Sequence, residues 1–125
     1  MSGRVLVIED EPNITEAIGF ILSRAGWTVH VHEDGVTAAE RVRSLPPDLV
    51  ILDVMLPGRS GFDILRELRA DPATQDLPVL MLTARGTAKD RELALSLGAS
   101  RFMTKPFSNA EVLENVEALA GGRHG

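Results

Sequence analysis

Leu49-Val50-Ile51-Leu52-Asp53 is the stretch that decides the fold. Four consecutive apolar residues, with neither a helical nor an alternating gap, fit a strand covered on both faces. The run closes on a carboxylate that has no place inside such a core. Val5-Leu6-Val7-Ile8 before Glu9-Asp10, and Val79-Leu80-Met81-Leu82 before Thr83, repeat the pattern. Thr28-Val29-His30-Val31-His32 alternates instead, as a half-exposed edge strand would, and Arg101-Phe102-Met103-Thr104 gives a short fifth run ahead of Lys105. Strands are therefore expected at about 4–9, 28–32, 48–53, 78–83 and 101–104.

Segments of helical period lie between and after these runs, at about 12–25, 35–45, 61–70, 87–97 and 108–120. The first places Ile14, Ala17, Ile18, Ile21 and Leu22 on one face, opens with Pro12 and stops at Gly26, a natural C′ residue. The fourth stops at Gly98 in the same way. Ser108 is a natural N-cap for the fifth, with Glu111 three residues on completing a capping box, and Val112, Leu113, Val116 and Leu119 form its apolar face. Pro46-Pro47, Leu56-Pro57-Gly58 and Asp71-Pro72 mark turns. Regular alternation of strand and helix implies parallel strands joined by right-handed crossovers, an α/β doubly wound three-layer sandwich. Strand order is not set by this pattern.

The chain has 125 residues, the size of one domain, with 44% hydrophobic and 25% charged residues. One folded unit is expected over 1–120, followed by a flexible tail, Gly121-Gly122-Arg123-His124-Gly125. The apolar runs stop at four residues, far short of the roughly twenty that a membrane span needs. The N-terminus carries no secretory apolar segment, and the absence of cysteine excludes disulfides, thiolate metal sites and a cysteine nucleophile. A cytoplasmic protein is the plain reading. Thirteen Lys+Arg against eighteen Asp+Glu leave a net charge of −5. No basic cluster suits a nucleic-acid backbone, so a protein or a small phosphorylated donor is the expected partner.

Glu9, Asp10, Asp53, Thr83 and Lys105 each fall at the carboxyl end of a predicted strand. In an open parallel sheet ligands bind in the crevice outside those ends, so five residues spread over nearly a hundred positions are expected to converge. Any one of them could equally be a solvated strand-end residue; five at matching ends point to a site. Three carboxylates in one crevice either protonate or recruit a cation, and Mg2+ is the natural hard, oxygen-seeking ion. A lysine and a hydroxyl facing the same point suit phosphoryl oxygens. Asp53, ending the central buried run, is the expected nucleophile towards phosphorus, with Glu9 and Asp10 as metal ligands.

Four spaced motifs, Val7-Ile8-Glu9-Asp10-Glu11-Pro12, Ile51-Leu52-Asp53-Val54-Met55-Leu56-Pro57-Gly58, Leu82-Thr83-Ala84-Arg85 and Thr104-Lys105-Pro106-Phe107, resemble the receiver domain of two-component response regulators, including the chemotaxis-regulator type. The resemblance runs from about Arg4 to Leu119. It implies a flavodoxin-like (βα)5 fold with a five-stranded parallel sheet in the order 2-1-3-4-5. It further implies Asp53 as phospho-acceptor and Glu9, Asp10, Asp53 and the backbone carbonyl of Met55 around Mg2+. Thr83 would hydrogen-bond the phosphoryl group, Lys105 would pair with it, and the peptide before Pro106 would be cis. Thr83 would also move towards the phosphoryl group, with Phe102 turning inward behind it; permanent core packing of Phe102 stands beside that reading. The implied phosphodonor is a sensor histidine kinase or a histidine phosphotransfer protein. The implied output is an effector protein, or a C-terminal output domain beyond this sequence, reached through the fourth helix, fifth strand and fifth helix. Only self-phosphotransfer and self-dephosphorylation are expected as activities.

Other residues have simpler readings. Trp27 is expected to pack on the first helix, and His30 and His32 to lie on the polar face of the edge strand. Arg85 either flanks the site and tunes hydrolysis or is an exposed loop residue. Arg91 and Glu111 match one salt bridge of the family's common dimer, but Ser100, Arg101 and Asn115 depart from its usual charges, which favours a monomer or a weak phosphorylation-dependent dimer. A Mg2+-dependent aspartyl-phosphate phosphohydrolase would carry a second aspartate where this chain has Met55. A nucleotide- or flavin-binding protein would carry a Gly-rich loop in place of Glu9-Asp10-Glu11-Pro12. A phosphate-independent interaction module would be expected to have lost the acceptor or the acidic pair.

Overall fold

The structure, a computed structural model, describes the backbone of residues 3–124 and the side chains of residues 3–120. In chain order the elements are β1 (Arg4–Ile8), α1 (Pro12–Arg24), β2 (Thr28–His32), α2 (Ala38–Ser44), β3 (Leu49–Asp53), α3 (Gly61–Ala70), β4 (Val79–Thr83), α4 (Ala88–Ser96), β5 (Arg101–Thr104) and α5 (Asn109–His124). The strands form one parallel sheet in the order β2-β1-β3-β4-β5. Fold class and strand order are those the resemblance implied.

Alternation along each buried strand feeds two cores. Val5, Val7, Leu49, Ile51, Leu80, Leu82 and Met103 point to one face, where Ile18, Ile21 and Leu22 of α1 and Val112 and Val116 of α5 cover them. Leu6, Ile8, Val50, Leu52, Val79, Met81 and Phe102 point to the other, under Ala38, Ala39 and Val42 of α2, Ile64, Leu65 and Leu68 of α3, and Ala94 of α4. Every residue of β3 and β4 is buried, which is why their sequences are continuous apolar runs. Trp27 packs in the first core, against α1 as expected.

Gly26 and Gly98 hold φ of 96° and 104°, the left-handed conformation that ends α1 and α4. Ser108 and Glu111 form both halves of the capping box, at 3.0 and 3.1 Å. Four local expectations need correction. α2 starts at Ala38 and not at residue 35, because Asp34 Oδ1 accepts from the Val36 N–H and Gly35 N–H donates to Pro57 O, so those residues form a turn against the β3–α3 loop. Ala17 is exposed, since the stripe that meets the sheet centres on Ile18, Ile21 and Leu22. His30 and His32 are half-buried while Val31 is exposed, because the sheet edge leaves both faces of β2 only partly covered, and His32 is held by Thr37 Oγ1 at 2.8 Å. α5 runs on to His124, past the helix end expected at residue 120. The flexible tail expected over 121–125 falls on side chains, and at Gly125 on a backbone, outside the described residues.

The β3–α3 loop is pinned closely over the end of β3. Gly61 N–H donates to Val54 O at 2.9 Å, and a Cβ on Gly61 would overlap the Asp53 carbonyl and lie 2.9 Å from Val54 Cα. Backbone cannot yield there as a flexible side chain would. Gly61→Ala is therefore expected to cost about 2–3 kcal/mol, read as a lowered urea midpoint; an unchanged midpoint would show that the loop can move away.

Candidate functional site

Strand order reverses between β1 and β3, and the crevice at their carboxyl ends is where such a sheet binds ligands. Glu9 and Asp10 follow β1 there, and Asp53 ends β3. One carboxylate oxygen from each lies within 4.8 Å of the others. Glu9 is fully buried and Asp53 only 2% exposed, whereas Asp10 faces solvent.

Lys105, just past β5, crosses to this cluster. Its Nζ is 2.8 Å from Glu9 Oε1, 3.0 Å from Glu11 Oε1 and 3.7 Å from Asp53 Oδ1. The contact with Glu9 is an ion pair without hydrogen-bond direction, so Glu9 Oε1 is a buried oxygen with no directed donor. Glu9 Oε2 accepts from the Glu11 N–H at 3.0 Å. Burial first, and then the Glu9 charge, push the Asp53 carboxyl up to about 7, against the opposing pull of Lys105. The Lys105 ammonium is held above its ordinary value by Glu9, Glu11 and Asp53, which together outweigh its desolvation. This is excess negative charge in a partly buried crevice, with one buried oxygen, Glu9 Oε1, lacking a hydrogen-bond donor. The donor set fits a hard divalent cation bound through oxygen.

The other expected site residues line the same rim. The Met55 N–H donates to Asp53 Oδ1 at 3.3 Å, which sets the Met55 backbone beside the carboxylate while its side chain is largely exposed. Thr83 ends β4, buried, and its Oγ1 accepts from the Arg85 N–H at 3.1 Å, leaving its own proton to donate. The Lys105–Pro106 peptide is cis. Phe102 lies inward in the core shared with α3 and α4, and the Arg91 guanidinium stacks over its ring at 5.2 Å. Arg91 and Glu111 are thus both engaged inside the chain, one on Phe102 and one in the capping box. Arg101 donates to Asn115 Oδ1 at 2.7 Å. Sequence reading missed the place of Glu11 in the site; its only local signal is its position directly after the acidic pair.

At the switch point of a five-stranded 2-1-3-4-5 sheet, a partly buried acidic cluster thus meets a lysine, an arrangement suited to a phosphoryl group beside a divalent cation. The response regulator receiver domain profile matches residues 5–117, and the chain belongs to that family. It is 41% identical over 119 residues to the phosphate regulon transcriptional regulatory protein PhoB of Escherichia coli, covering 95% of this chain and 52% of that protein. It thus spans about half the length of the curated relatives it matches. A solved structure described as a response regulator from Chloroflexus aurantiacus superposes with a TM-score of 0.92 at 30% identity, covering 97% of this chain and 99% of that one. The receiver domain of a sensor histidine kinase from Pseudomonas aeruginosa superposes with a TM-score of 0.88 at 29% identity, again covering 97% and 99%, and holds a magnesium ion coordinated in its active-site cleft. Among the described residues no helix is long and apolar enough to cross a membrane.

Proposed function

We propose that this chain is a phosphorylation-controlled switch in which Asp53 is the phospho-acceptor. The observation that carries this reading is the buried Asp53 carboxylate, at the end of the central strand, within reach of Glu9, Asp10 and Lys105. An oxygen of the Asp53 carboxylate attacks the phosphorus of a phosphohistidine on a sensor histidine kinase or histidine phosphotransfer protein. The P–N bond breaks, its electron pair stays on the imidazole nitrogen, and an acyl phosphate forms on Asp53. Lys105 pairs with the phosphoryl oxygens, and Thr83 donates its free hydroxyl proton to them. Glu9, Asp10, Asp53 and the Met55 carbonyl would hold Mg2+, which when bound supplies positive charge to the carboxylates and the phosphoryl group. Self-dephosphorylation is a hydrolysis: water attacks the phosphorus, the bond from phosphorus to the Asp53 oxygen breaks, and free carboxylate and inorganic phosphate result; turnover of free phosphoesters is not part of this reading.

Thr83 and Phe102 would be the switch pair, passing the change to the α4–β5–α5 surface. Phe102 already lies inward beneath Arg91, so the state described here resembles the end point of such a turn at this ring. The internal engagement of Arg91, Glu111 and Arg101 supports a monomer or a weak phosphorylation-dependent dimer. The output would be an effector protein or a C-terminal output domain, with no nucleic acid bound through these residues.

Incubation with phosphoramidate and Mg2+, followed by 31P NMR, tests the chemistry: a protein-bound acyl phosphate resonance is expected, absent when EDTA removes the metal. Its absence with Mg2+ present would favour a phosphate-independent interaction module. Lys105→Ala should raise Mg2+ affinity about tenfold, because it removes a cation from among the carboxylates. Calorimetric titration checks this, and weaker Mg2+ binding in the folded variant would contradict the proposed ligand geometry.

A further inference from the structure

Glu11 occupies the N-cap position of α1 yet caps nothing: its side chain makes no hydrogen bond to the first turn. N-cap positions favour Ser, Thr, Asp or Asn, whose short side chains reach the free N–H groups. A local rule broken without local benefit often marks a functional residue. The carboxylate here reaches the other way and accepts from Lys105 Nζ at 3.0 Å, while the Glu11 N–H fixes Glu9 Oε2 at the same distance.

Lys105 consequently sits between Glu9 and Glu11, with Asp53 the farthest of the three. Glu11 is 58% exposed against 12% for Lys105, so its pull is towards the rim and away from the acceptor. We propose that Glu11 is a positioning residue acting through Lys105: it latches the ammonium at the rim and competes with the phosphoryl group for it. This rests on the reading of Asp53 as acceptor. Of the three ammonium donors one is given to Glu11, while Glu9 holds the group by charge at 2.8 Å. Closing on a phosphoryl group at Asp53, 3.7 Å away, draws the ammonium in from the rim, and Glu11, the more hydrated of its two nearer partners, is the one to be released.

Beryllofluoride with Mg2+, titrated against the full chain and followed by 19F NMR, tests the latch through two variants. Glu11→Gln keeps the shape and the backbone N–H but loses the charge. Glu11→Asp keeps the charge but withdraws it by one methylene from Lys105. Beryllofluoride is expected to bind about fivefold tighter to Glu11→Gln and at least about twofold tighter to Glu11→Asp. Tightening in Glu11→Gln alone would mean a bare charge effect and overturn the latch, as would unchanged or weaker binding in both. If the wild-type chain binds no beryllofluoride, the acceptor reading falls and the latch with it. Binding to wild type with no effect of either variant removes the latch only.

Discussion

Asp53→Asn is expected to lose phosphoryl uptake from acetyl phosphate by about three orders of magnitude or more. The amide keeps the shape of the carboxylate but is no nucleophile towards phosphorus at neutral pH. The fold should survive, because Lys105 retains Glu9 and Glu11 as partners, and β3 is held by neighbours on both sides. The nearby carboxylates are poor substitutes. Glu9 is buried and tied at one oxygen to the Glu11 N–H and by the other to Lys105, and Asp10 faces solvent. Intact-mass analysis of both proteins after the same incubation checks this, and uptake by the variant at the wild-type rate would remove Asp53 from its role.

The same substitution should stabilise the metal-free protein at pH 8 by about 4 kcal/mol, or roughly 15 °C in Tm. In the folded chain the Asp53 carboxyl titrates at about 7, against 3.8 as its ordinary value. Between those two pH values the folded state binds more protons than the unfolded chain. Its stability therefore falls as pH rises from about 4 to about 7 and stays at the lower level above. Asparagine carries no such titration, so the gap between variant and wild type should open across that range and close below it. Thermal unfolding in EDTA from pH 4 to pH 8 measures it. Equal melting at pH 8 would mean that Lys105 already neutralises the cluster. Saturating Mg2+ should narrow the gap, because the wild-type carboxylate then gains a partner that the amide serves poorly.

Much of this fold is readable because β1, β3 and β4 are buried on both faces. Past the exposed Arg4 that opens β1, each of their positions must be apolar until the chain leaves the sheet, so the next polar residue marks the strand end, and the crevice lies there. Glu9, Asp53 and Thr83 were legible for that reason. Strand order was not, since nothing in a run such as Val79-Leu80-Met81-Leu82 says which neighbour it pairs with; that came from the resemblance and is seen in the register. The start of α2 was misplaced because an Asx turn at Asp34 and the Gly35–Pro57 hydrogen bond depend on the distant β3–α3 loop. The pairing of Glu11 with Lys105 joins residues 94 positions apart, both of types usually found solvated, and no periodic signal links them. The stacking of Arg91 on Phe102 likewise has no sequence signal, being a contact between a helix and a strand that only packing brings together.

The most direct test of the account identifies the modified residue itself. The protein is phosphorylated with acetyl phosphate and Mg2+, treated with borohydride to reduce any acyl phosphate to an alcohol, and cleaved with trypsin. Asp53 lies in the peptide 44–59, and Glu9 and Asp10 lie in the peptide 5–24. Homoserine at position 53, formed only when Mg2+ was present, is the predicted result. A reduced residue at position 9 or 10, with Asp53 unchanged, would contradict it.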